Sequence, residues 1–87
     1  MSEIFRKAIA GFFTEKRKAA GIDVTTAADE LGYSIQKFED LESGRSNLPM
    51  SDMARLARHY GISETEVMTF LTREGVELQK RNSKKKG

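Results

Sequence analysis

The chain of 87 residues has no cysteine, no tryptophan, one proline and one histidine. Without cysteine it can form neither a disulfide nor a thiolate metal site. His59, standing alone, cannot supply a zinc ligand set. No apolar run approaches the roughly 18 residues that span a bilayer. The opening MSEIFRKAIAGFF carries Glu3, Arg6 and Lys7, which suits a cleaved signal poorly, so a cytoplasmic location is expected. Strand signals are scarce too, because β-branched residues nowhere alternate with polar ones over a useful length. Nor is there a phosphate-cradling glycine loop or a carboxylate pair in apolar surroundings. Enzymatic chemistry has little to stand on, and neither a cofactor nor a small-molecule ligand is expected.

The residues present suit one small helical domain. A 38% hydrophobic share is enough for a compact core, and 32% charged residues imply a well-solvated surface. Stability must then come from helix packing, with dimerisation as reinforcement. The net charge of +2 is unevenly spread. Met1 to Thr72 hold nine basic and eleven acidic residues, whereas Arg73 to Gly87 hold six basic and two acidic. Residues 79–87, ending RNSKKKG, read as a basic, unfolded tail on a nearly neutral body. That tail is either a solvated terminus or an arm attracted to phosphates.

Helical periodicity runs through the remainder. A first helix is expected from Ser2 or Glu3 to Ala20, with Phe5, Ile9, Phe12 and Phe13 on one stripe and Gly21 as its stop. Gly11 within it marks a close neighbour or a soft spot. Asp23 can cap a second helix, Val24 to Leu31, and Ser34 a third, Ile35 to about Ser43, ended by Gly44. After the loop RSNLP a fourth helix reaches Tyr60. Ser63-Glu64-Thr65-Glu66 has the form of a capping box for a fifth, whose course beyond Gly75 is open. The expected fold is all-α, a compact bundle of about five helices over residues 1–78.

Residues 24–43 carry the sharpest pattern. Ala28 is small enough for two helices to cross closely, and Gly32 can adopt the left-handed turn that ends one helix. Ser34 then caps the next, and Phe38 and Leu41, three apart, turn one face of it inward. A helix, a tight turn and a second helix in this register form a helix-turn-helix, which points to DNA. The pieces LGYS, LESG at Leu41 to Gly44 and LARHYG at Leu56 to Gly61, in their mutual spacing, resemble the Cro-type, lambda-repressor-like (XRE) family. The resemblance covers Gly21 to Ser63 closely and the flanking helices more weakly.

That resemblance implies a third helix lying in the major groove, with Ile35, Gln36 and Asp40 at the reading positions and Lys37 beside them. Gln36 can pair with adenine N6 and N7, and it has no evident competing local task. Ile35 can press on a thymine methyl or join the core. Asp40 can accept from a cytosine amino group or pair with Lys37. The implied phosphate contacts are Thr25, Thr26, Ser34, Ser43, Arg45, Ser46 and Asn47, with Arg17 from the first helix. Two positions depart from the family: Val24 stands where Gln is frequent, and Lys16 where an aliphatic side chain is usually buried. The stem of Lys16 can still cover the core.

The implied function is a sequence-specific transcriptional regulator, repressor or activator, at the nucleoid. It would bind double-stranded DNA as a homodimer on a two-fold-related operator. Dimerisation would fall to Val67, Phe70, Leu71, Val76 and Leu78, the first three being equally suited to core packing. Glu39 and Asp40, two acids on the reading helix, support a rival: a protein-interaction module, such as an antitoxin or antiactivator, docking a regulatory protein.

Overall fold

The computed structural model describes residues 3–74. Helix α1 runs Glu3–Ala19, α2 Val24–Leu31, α3 Ile35–Glu42 and α4 Met50–Tyr60. Residues 64–74 are helical as well and are referred to as α5. No strand occurs among the described residues, so the molecule is an all-α bundle. Helices α1 and α3 each stop one residue short of the expected ends, a difference within ordinary fraying.

The ends of the short helices are set by local chemistry. At the α2 terminus Gly32 takes φ 72°, its N–H bonds the Asp29 carbonyl, and the Tyr33 N–H bonds the Ala28 carbonyl. This double closure satisfies carbonyls that the helix leaves unpaired, and it needs a left-handed residue that glycine supplies without a Cβ clash. Two residues on, the Ser34 hydroxyl accepts the Lys37 N–H at 3.1 Å and starts α3. Pro49 precedes α4 with no side-chain cap, its carbonyl accepting the Met53 N–H at 2.9 Å. The capping box at Ser63 is half made. Ser63 accepts the Glu66 N–H at 3.1 Å, but the Glu66 carboxylate turns to Lys16 on α1.

Helix α2 packs on α3 and α4, and α1 lies against the same two. Ala27 and Ala28, wholly or almost wholly buried, permit that close crossing, while Phe13 and Phe38 fill the centre. Removing the Phe38 ring would cost about 3–5 kcal/mol through lost transfer energy and a cavity. Helix α5 is held to α1 by Phe12 stacked on Phe70, centroids 4.2 Å apart, and by the Lys16–Glu66 ion pair. Lys16 lies half-buried with its ammonium 5.5 Å above the Phe12 ring, so its stem covers apolar surface as expected. A Cβ placed on Gly11 would meet nothing within 4 Å, so no close neighbour requires glycine there.

Candidate nucleic-acid interface

Helix α3 presents two unlike faces. Phe38 and Leu41 are buried, which turns Ile35, Gln36, Lys37 and Glu39 out to solvent. Ile35 is 47% exposed, so it does not join the core. Thr25 and Thr26, also exposed, stand at the amino terminus of α2, where Asp23 accepts the Thr26 N–H at 2.8 Å. That bond holds the Asp23 carboxyl below its ordinary range. Beyond α3, Arg45 and Asn47 are exposed and Ser46 is half-buried.

Long-range bonds hold these parts in place. Tyr33, in the turn between α2 and α3, donates its hydroxyl to Asp52 of α4 at 2.6 Å, and this bond raises the tyrosine pKa. Arg6 of α1 donates to the Gly44 carbonyl at the far end of α3. Gly44 has φ +82°, and a Cβ there would lie 2.8 Å from Lys7 Cγ, so α1 seats directly on this loop. The pairings of Tyr33 with Asp52 and of Arg6 with Gly44 leave no local sequence signal, because their partners lie 19 and 38 residues away.

Arg17 corrects an expectation. It is not at the surface to meet a phosphate: it is 9% exposed, with Nε 2.7 Å and Nη2 3.2 Å from the two carboxylate oxygens of Glu42. Its Nη1 donates to the Ile22 carbonyl at 2.8 Å. Chiefly this bond to Glu42, opposed by burial, raises the guanidinium pKa. The fork thus locks α1 to α3, and its third bond holds the loop between α1 and α2. Nearby, burial and then the Glu42 charge push the Tyr60 hydroxyl well above the usual phenol range.

Four further site residues behave differently from expectation. Asp40 pairs not with Lys37 but with Gln36 Nε2 and Arg45 Nη1, each 3.3 Å from the same Oδ1. Gln36 therefore does have a local partner. Lys37 instead lies 5.6 Å over the Tyr33 ring. Ser43 is held inside the loop, donating its hydroxyl to the Asp40 carbonyl at 3.1 Å and accepting the Arg45 N–H at 3.4 Å. A phosphate would have to displace the bond that the hydroxyl donates to Asp40.

The dimer candidates divide. Val67 and Phe70 are buried in the core, so their apolar surface is already used, and Leu71 is half-buried. Val76 and Leu78, like the basic tail, lie outside the described residues. Exposed instead are Met50, 62%, and Met68, 54%, which with Leu71 line an apolar groove of about 460 Å³ between α4 and α5. His59 is partly buried on α4 with Nδ1 3.6 Å from Glu30.

An α2–turn–α3 unit with a buried inner face and a polar outer face defines a helix-turn-helix protein. A family model described as "Helix-turn-helix domain" matches residues 8–70, and the chain belongs to that family. This places it, at a general level, among DNA-binding regulators. No curated protein and no solved structure matches it.

Proposed function

We propose that the protein is a sequence-specific regulator of the Cro-like kind, binding a two-fold-related operator as a homodimer with α3 in the major groove. The observation that carries this is the outer face of α3. Ile35 and Gln36 stay exposed on a rigid helix whose other side is locked by Phe38, Leu41 and the Arg17–Glu42 fork. A large exposed aliphatic beside an amide suits base edges, where a thymine methyl and an adenine sit side by side. Thr25, Thr26, Arg45 and Asn47 flank that face as phosphate contacts, with Ser34 and Ser46 beside them. Half-sites would lie about 10 base pairs apart, centre to centre.

A second copy would cover the Met50–Met68 groove. Arg58 and Glu64 also line it, opposite charges that can pair twice across a two-fold axis. Substituting Met68→Glu is expected to leave helicity intact and halve the mass seen by sedimentation. An unchanged mass would remove this face from the dimer.

Selection of bound sequences from random duplexes tests the whole reading. A single enriched motif with two-fold symmetry is expected, and Gln36→Ala should lower affinity for it by about 10-fold or more while sparing random duplex. Glu39, exposed on the same face, favours the protein-docking alternative. Failure to enrich any motif at low salt would decide for that alternative.

A further inference from the structure

We infer that Asp40 reads no base, and instead positions Gln36 and Arg45 for their separate tasks on DNA; this rests on the reading of α3 given above. Its Oδ1 already accepts from Gln36 Nε2 and from Arg45 Nη1, both at 3.3 Å. An ionised carboxylate only accepts hydrogen bonds, so it can hold the nitrogen end of the Gln36 amide and never the oxygen end. The flip of that amide is thereby chosen. Oε1 and the second Nε2 hydrogen stay available, the acceptor and donor that adenine N6 and N7 require.

The same oxygen tethers Arg45, whose exposed side chain would otherwise sample many rotamers at the edge of the site. The ion pair in turn offsets the carboxylate charge that phosphates would repel. The Asp40 side chain is 29% exposed, against 75% for Arg45, so the carboxylate is the more fixed partner. Its main chain is the knot of the loop: the Asp40 carbonyl accepts the N–H groups of Arg45, 3.0 Å, and Ser46, 3.2 Å, besides the Ser43 hydroxyl. Those bonds survive any side-chain substitution, so Asp40 variants should keep the fold.

The arrangement gives Asp40→Ala two effects of opposite sign. Loss of the acid removes a charge that phosphates repel and should strengthen binding to random duplex, while the salt slope stays that of the parent because Arg45 already meets a phosphate. Loss of the amide's anchor should lower the ratio of operator to random affinity by roughly 3- to 10-fold. Asp40→Asn can still offer Gln36 an acceptor oxygen without the charge. Its amide can also donate, so the flip is held only in part: it should strengthen random binding as the alanine variant does, with a loss of ratio smaller than that of alanine.

The test is equilibrium binding of the full chain and these variants to the selected operator and to random duplex across a salt series. Gln36→Ala and the double variant Gln36→Ala/Asp40→Ala complete the cycle. The expected result is a double variant no less specific than Gln36→Ala alone. Additive losses of specificity, equal gains on both duplexes, or a changed preference at a cytosine would each overturn the role. If the parent selects no operator, the DNA-reading proposal falls and takes this one with it. Additivity in a parent that does select one removes only this inference.

Discussion

Arg17 offers the clearest separation of a structural cation from a DNA-binding one. Changing it to Met keeps an unbranched stem while removing the fork that holds Glu42. Both side chains are nearly buried, at 10% and 15% exposure, so the stranded carboxylate is poorly reached by water. Breaking one side of a buried pair costs about 3–5 kcal/mol, and this residual exposure argues for the lower end, about 3 kcal/mol. A chain of 87 residues has a total stability of about 4–13 kcal/mol, so the variant should fold but with little margin. In thermal terms the loss corresponds to roughly 12–24 °C. Arg17→Met/Glu42→Leu, which removes both charges, should recover most of it, because no charge is then left unpaired. Urea melts give the stabilities, with an unchanged m-value confirming that the folded state is the same. The salt slope of DNA binding supplies the second reading. The reasoning fails if Arg17→Met leaves the melt untouched and lowers the slope by about 0.9, the mark of a lost phosphate contact.

Glycine substitutions should split by position. Gly44→Ala places a Cβ 2.8 Å from Lys7 Cγ at φ +82° and is expected to cost about 2–4 kcal/mol in a urea melt. Gly11→Ala, in open space on α1, should raise stability by about 1 kcal/mol in the same measurement. Asp23 gives a pH dependence of known sign. Its folded-state pKa lies below the ordinary 3.8, so its capping contribution is fully present above that pH and lost as the pH falls through the folded value. The stability gap between the parent and Asp23→Ala should therefore close on acidification, and a gap constant from pH 7 to about pH 2 would contradict the capping role. Deleting Asn82 to Gly87, which removes three lysines, should flatten the salt dependence of DNA affinity; an unchanged slope would show that the tail takes no part.

The helix order was legible because it rests on short-range chemistry. Asp23 and Ser34 cap within three residues, Gly32 closes its turn within five, and the Phe38–Leu41 stripe needs only the helical repeat. The outer face of α3 followed from the same periodicity except at Ile35, which could equally have joined the core and which packing leaves 47% exposed. The standing of individual charged groups did not follow. Arg17 and Lys16 are neighbours in sequence on one helix. One is enclosed by Glu42 and the Ile22 carbonyl, and the other covers Phe12 and meets Glu66. Likewise the capping-box pattern at Ser63 promised a reciprocal bond, but a cation fifty residues away drew the glutamate off.

Residue order alone dictates that this chain makes short helices, where the capped helices α2 and α3 begin, and which stripe of each is apolar. Those outcomes depend on backbone hydrogen bonds and side-chain spacing within a turn or two. Helix packing settles the rest: which ions are buried as locks, that Val67 and Phe70 belong to the core while Met50 and Met68 do not, and that Gln36, Asp40 and Arg45 form one connected group. Packing brings distant segments within a few ångströms, and the partner a charge finds there depends on how whole helices cross.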